Sequence, residues 1–323
     1  MAKFLFIRGG AVGDFILTMP ALQLVRDHLP GVEIEVLGYP SIAKLAVAAG
    51  LADRVRSIEH SALAPFFAPG ATLDREMVSY LASFDVVVSY LYDPDGFFRG
   101  NLERAGVETF VPGPYRMSEE EPRQAAAMQL ARPLERFALY LEDPGPVFSF
   151  ANATRVASTL PESVEGPVCA LHPGSGSPAK NWSLESWITV AEELRRRESS
   201  LSFLFVSGEA ESGRIERFLA MAEERSIPFR HLESLPLDEL ASAIATADFF
   251  LGHDSGISHL AAGVGLPGIL LFGPTDPAVW APPHEGMIPL VAPDGDLSRI
   301  RPGDLVDACE LHFFTSQEKD REN

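Results

Sequence analysis

The chain has 323 residues, 46% of them hydrophobic and 22% charged, with 26 Lys and Arg against 45 Asp and Glu for a net charge of −19. That length suits two domains of about 150 residues each better than one core, in an ordinary soluble composition. The acidic balance argues against nucleic acid as a partner, which demands an excess of cations, and against tight docking on anionic lipid.

At the start, the apolar stretch of residues 4–7 is too short for a signal segment, and no apolar run approaches the roughly 18 residues of a spanning helix, so a cytoplasmic location is expected. Residues 3–8 read as a strand, and residues 15–29 carry apolar side chains at helical spacing (Ile16, Met19, Leu22, Val25, Leu29). Residues 33–38 form a second predicted strand, 41–49 a helix and 54–58 a third strand. The run at 84–90, with DVVVSY, reads as a strand buried on both faces, as in parallel sheets. Residues 124–141 look like a long helix. The Pro-, Ser- and Ala-rich stretch 144–167 holds the expected boundary, near residue 155, giving domains 1–155 and 156–323.

The pattern then restarts. Strands are expected at 167–172, 202–207, 248–252 and 268–272, and helices at 184–197, 211–224, 237–246 and 257–264. Cys169 and Cys309 lack CxxC or Cys/His spacing and read as buried small hydrophobes, with no zinc site or disulfide framework. Strand–helix alternation with short connections implies an α/β chain of two doubly wound, Rossmann-like parallel-sheet domains facing a cleft. Ligands in such sheets bind beyond the carboxyl ends of the strands. Four motifs fall there.

The first is Arg8-Gly9-Gly10-Ala11-Val12-Gly13-Asp14. Its glycines permit a tight turn and close ligand approach. Asp14, placed at the N-cap of the next helix, is either a cap or a general base. A dinucleotide fingerprint needs GxGxxG and a later acid; GGxxG does not supply it, which disfavours an NAD enzyme. The second motif, His172 to Trp182, joins small residues to a lysine. Backbone amides and hydroxyls of Ser175, Gly176 and Ser177 would nest a diphosphate, with Lys180 adding charge; Ser183 is the expected N-cap of the following helix. An idle surface loop is the alternative. Trp182 and Trp187 read as packing residues.

The third motif, Gly252 to Ala262, joins a strand to a helix capped by Asp254 or Ser255, leaving amides near Gly256 for phosphate oxygens. Asp254 beside a diphosphate would repel it and is better suited to sugar hydroxyls. His259 either faces the phosphates or packs inward. The fourth, Phe272 to Pro277, places Thr275 for ligand contact and Asp276 in a turn. No metal-ligand cluster, HExxH, GxSxG or DxD triplet is present, so no metal or tightly held cofactor is expected.

Together these motifs resemble the family 9 glycosyltransferases, the heptosyltransferase family of lipopolysaccharide core assembly. FIRGGAVGDFILTMPAL, including Pro20, matches the opening strand–RxGxxGD–helix; LHPGSGSPAKNW matches the second-domain HPG…K.W. HDSGISHLAAGVGLPGILLFGPTDP matches the family signature, with Ser255 where Thr is usual. The resemblance implies the GT-B architecture and inverting, metal-independent transfer from an ADP-sugar co-substrate to a glycan or lipid-linked acceptor, with at most peripheral membrane contact. It makes Asp14 the base and Lys180 with Ser175–Ser177 the phosphate site. Asp254 then contacts the sugar, Ser255, Gly256 and His259 lie near the diphosphate, and Glu209 contacts the ribose. An anionic acceptor usually meets basic patches, which a charge of −19 fits poorly; residues 93–117, where acceptor contacts are expected, offer only Arg99, Arg104 and Arg116 as cations. The rivals are another GT-B nucleotide-sugar enzyme, a hexosyltransferase or epimerase, and a non-catalytic nucleotide-binding protein.

Overall fold

Two sheets, each entirely parallel, organise the chain. The computed structural model describes residues 2–150, 166–208, 211 and 213–314, so the expected boundary at residue 155 and the candidate Glu209 lie outside the described residues. The chain divides into two compact units, Met1–Pro146 and Val147–Asn323.

In the first unit the strands are β1 (Lys3–Arg8), β2 (Glu33–Gly38), β3 (Arg54–Ser57), β4 (Val86–Ser89) and β5 (Phe110–Pro112), ordered β3-β2-β1-β4-β5. The helices are α1 (Val12–Ile16), α2 (Met19–His28), α3 (Pro40–Ala48), α4 (Arg75–Leu81), α5 (Phe97–Arg104) and α6 (Ala126–Ala131). β1 and β4 are neighbours in register Ile7↔Ser89, and the direction of winding reverses between them. Leu5, Ile7 and Val87 pack one sheet face with Phe66, Leu81, Phe98 and Leu102 into a single core, each fully buried side chain contributing about 1.5–3 kcal/mol.

The helix expected over 15–29 is two helices, α1 and α2, meeting at Leu17 and Thr18. Pro20 has no N–H for the Ile16 carbonyl, so a continuous helix would lose a bond and clash there; as the second residue of α2 it sits where no donor is needed. Thr18 Oγ1 instead donates to the Asp14 carbonyl at 2.8 Å. Likewise the helix expected over 124–141 reduces to α6 followed by a 3-10 turn, Arg132–Phe137, because Pro133 cannot continue the α pattern.

The second unit carries β6 (Val168–Leu171), β7 (Ser202–Ser207), β8 (Phe229–Glu233), β9 (Phe249–His253), β10 (Gly268–Phe272) and β11 (Met287–Val291), ordered β11-β10-β9-β6-β7-β8. Its helices are α7 (Leu184–Arg197), α8 (Ile215–Glu224), α9 (Leu237–Ile244), α10 (Gly256–Gly263), α11 (Pro277–Trp280) and α12 (Pro302–Cys309). β6 and β9 are the neighbours across which the winding reverses. Helix α7 matches its expectation in full: Ser183 Oγ accepts the Ser186 amide at 3.0 Å, Trp187, Ile188, Ala191 and Leu194 face the core, and Arg195, Arg196 and Arg197 fill the last turn. Helix α8 starts at Ile215 rather than 211, after Gly213 at φ 80°.

Candidate active site

In the first unit, β1 delivers Arg8 and a glycine turn to the point where winding reverses, the position at which parallel sheets bind ligands. Gly10 has φ 103°, and a Cβ there would lie 2.7 Å from Asp14 Oδ2, so only glycine lets the carboxylate fold back over the turn. Asp14 is not the N-cap. Ala11, in extended backbone, starts the helix a turn earlier, and Asp14 is its third residue, with Oδ2 accepting the Ala11 amide at 3.0 Å. That is half of a capping box, a cap by return. The other oxygen, Oδ1, faces Arg8 Nη2 at 3.3 Å, and Asp14 keeps 39% of its side chain exposed while Arg8 keeps 6%. The guanidinium carbon lies 5.5 Å from the Tyr90 ring centroid, and Arg8 Nε donates to the Asp14 carbonyl at 3.3 Å. Burial lowers the Arg8 guanidinium from its usual range, against the raising charges of Asp14 and Tyr90. Asp14 is thus both a structural return and an open carboxylate on a fixed cation.

In the second unit, β6 and β9 deliver their loops side by side. Ser175 Oγ donates to the Ser177 carbonyl at 2.9 Å, which closes the small-residue turn; Gly176 is exposed and Ser177 half-buried. Lys180 Nζ donates to Asp254 Oδ2 at 2.6 Å, and Thr275 Oγ1 donates to the same oxygen at 2.6 Å. A cation, a carboxylate 7% exposed and a hydroxyl from three loops therefore meet at one point. Ser255 caps α10 through the Ser258 amide at 3.4 Å, and Gly256 opens that helix. His259 is buried, 6% exposed, one turn on. Asp276 Oδ1 accepts the Ala278 amide at 3.0 Å, as a turn residue should.

Two histidines hold these loops. His253 Nε2 accepts the Trp182 amide at 2.8 Å, so its proton sits on Nδ1, 3.3 Å from the Gly174 carbonyl. Burial, with the neighbouring His172 charge, pushes His253 down to about 3. It is a neutral structural ring. His172 faces Glu211 Oε1 at 3.5 Å through Nε2 and Ser255 Oγ at 3.4 Å through Nδ1. Burial raises the Glu211 carboxyl, but the facing imidazole and the Gly208 amide outweigh it and hold the group below its ordinary value. Trp182 and Trp187 are buried and pack edge to face, with centroids 5.2 Å apart.

A family model described as glycosyltransferase family 9 (heptosyltransferase) matches residues 114–292, more than half of the chain. The chain is a family 9 glycosyltransferase. The family 9 chain is 23% identical over 319 residues to lipopolysaccharide heptosyltransferase 1 of Escherichia coli O18:K1:H7, covering 92% of this chain and 94% of that one. It is 25% identical over 296 residues to the Pseudomonas aeruginosa heptosyltransferase 1, covering 85% and 79%. Among solved structures it resembles E. coli ADP-heptose LPS heptosyltransferase II, with a TM-score of 0.77, 17% identity and coverage of 98% and 99%. The E. coli heptosyltransferase WaaC with ADP gives 0.72, 20%, 96% and 99%. The fold of this family 9 enzyme is therefore the expected GT-B class.

Sequence reasoning gave no role to Arg8, His253 or Glu211. His253 carried a signal: a histidine at the end of the apolar run FFLG is buried by its strand, and a buried imidazole must find partners. Glu211 gave none, since its companion His172 is distant in sequence. No described helix is long and apolar enough to cross a membrane.

Proposed function

We propose that this family 9 enzyme moves a heptose from an ADP-sugar to a hydroxyl of a lipopolysaccharide-core or similar glycan, with inversion at the anomeric carbon. The new bond forms between the acceptor oxygen and that carbon, the carbon–phosphate oxygen bond breaks, the proton passes to Asp14 and ADP departs. A carboxylate with one oxygen engaged by Ala11 and the other on Arg8 is held in one orientation, as a general base requires. Lys180 and the Ser175–Ser177 turn hold the diphosphate and offset the charge that grows on it, so the transfer as proposed calls for no metal. Asp254, with Thr275, accepts hydrogen bonds from the sugar. The Ser255 and Gly256 amides and His259 line the diphosphate side, and Glu209 reaches the ribose. The acceptor is approached from solution or at a membrane surface, through peripheral contact alone.

The observation that carries this reading is the Lys180–Asp254–Thr275 cluster at 2.6 Å. Lys180 is 29% exposed, so its ammonium can exchange Asp254 for a phosphate oxygen without unfolding anything. The test is a thermal-shift series with ADP, ADP-heptose, UDP-glucose and NAD, followed by ADP release with and without a glycan acceptor. Stabilisation by ADP compounds with acceptor-dependent release is expected; a shift with UDP-glucose alone, or release without acceptor, would replace the reading with a hexosyltransferase or a hydrolase.

A further inference from the structure

The first unit contains a cavity outside the groups discussed so far. It has a volume of about 440 Å³ and opens beyond the carboxyl ends of β4 and β5, lined among others by Tyr92, Asp93, Asp95, Arg99 and Tyr115. A Cβ on Gly9 would lie 3.7 Å from Leu91 Cδ2, and Leu91 also lines the cavity, so it borders the turn that carries Asp14.

Its chemistry is selective. Tyr92 and Tyr115 are 59% and 55% exposed, and their rings touch, with centroids 4.5 Å apart at 54°. Two joined aromatic faces left to water are an unusual surface for a soluble chain. Tyrosine offers a π face that attracts the slightly positive C–H face of a pyranose, and a hydroxyl for its polar edge. The charged lining is mostly committed. Both Asp93 oxygens cap α5, accepting the Phe98 amide at 3.0 Å and the Arg99 amide at 2.9 Å. Arg99 Nε is paired with Glu103 at 2.9 Å. Asp95 and the phenols remain to meet a ligand, and a phosphate or carboxylate would face two carboxylates, Asp93 and Asp95, against the single cation Arg99, which already shares its charge with Glu103.

We propose that this cavity binds an uncharged pyranose ring of the acceptor, stacked on Tyr92 and Tyr115 with its hydroxyls toward Asp95; the word acceptor rests on the transferase reading above. This family 9 enzyme thereby selects a neutral sugar beside the reacting hydroxyl.

Ligand-observed saturation-transfer NMR on the full chain, with methyl β-D-glucopyranoside against glucuronate and glucose 6-phosphate, tests it. Saturation of the neutral glycoside is expected, with little or none of the two anions. Tyr92→Ala and Tyr115→Ala should each weaken the glycoside about three- to tenfold, while Tyr92→Phe keeps most of it, and all three should keep the ADP thermal shift. Equal binding of the anions, no binding of the glycoside, or glycoside binding unchanged in both alanine variants overturns the proposal. An ADP shift without glycoside binding sinks the cavity alone; glycoside binding without an ADP shift sinks the transferase reading and leaves a sugar site.

Discussion

Replacing Asp14 with Asn removes one negative charge and keeps the size of the side chain. The amide oxygen can still accept the Ala11 N–H, so the return cap survives. What is lost is the charge opposite Arg8, a side chain only 6% exposed. Full burial of an unpaired charge costs about 3–5 kcal/mol and an exposed pair contributes about 0.2–1. Asp14 is more than a third exposed and Arg8 keeps the Tyr90 ring and the Asp14 carbonyl, which places the loss at about 1–2 kcal/mol. For a unit of this size that is a fall in Tm of roughly 2–8 °C. Loss of a general base lowers turnover by about 10²–10⁴. The two effects are separable at 25 °C, where the variant stays folded. Turnover is read as ADP release at saturating donor, and donor binding by calorimetry. A variant that turns over within tenfold of the parent, or that loses donor affinity as steeply as rate, would refute the role assigned to this carboxylate.

Three further outcomes are expected. Lys180→Ala should weaken ADP about 10- to 100-fold, the value of one charge-assisted hydrogen bond, whereas Asp254→Asn should leave ADP binding undiminished and lower transfer, since it frees the lysine; calorimetry beside ADP release checks both. His253 takes its proton near pH 3 when folded and near 6.5 when unfolded, so the unfolded state gains protons first as the pH falls. Stability held above pH 6.5 should therefore drop by about 2 kcal/mol by pH 5 through this group, and a urea titration at pH 8 and 5 should show that drop absent in His253→Asn. Burial holds the Cys169 thiol well above its usual value and pushes Cys309 up to about 12, so neither should react with a thiol reagent in the native protein, and both should in denaturant.

Central strands were legible because their neighbours on both sides force them to be apolar throughout: VCAL, SFLFVS and GILLF declare themselves. Of the edge strands among the described residues, Arg54–Ser57 was readable, but Phe110–Pro112, Phe229–Glu233 and Met287–Val291 were not: FRHLE mixes charged with apolar residues, and FVP and MIPLV each carry a proline, which argues against a strand until an edge position is known. The site shows the same division. That His172–Ser177 and Asp254–Ser255 are loops after strands is local information, and it was readable. That Lys180 and Asp254, 74 residues apart, bond to each other is not, because it follows from β6 lying beside β9 in the sheet. The cap position of Asp14 was misjudged for a local reason: Ala11 offers no side-chain acceptor, so nothing in the residue type marks it as the helix start.

One buried ring has a consequence for how an anion is captured. By gripping Trp182 on one edge and Gly174 on the other, His253 clips both flanks of the intervening segment to the end of a central strand. A segment fastened at both flanks has little backbone freedom left to surrender when a ligand arrives, so the entropic toll of capture falls mainly on the single lysine stem. Acidification that charges the ring would undo the clip and turn a preformed receptor into one that has to be assembled at each encounter.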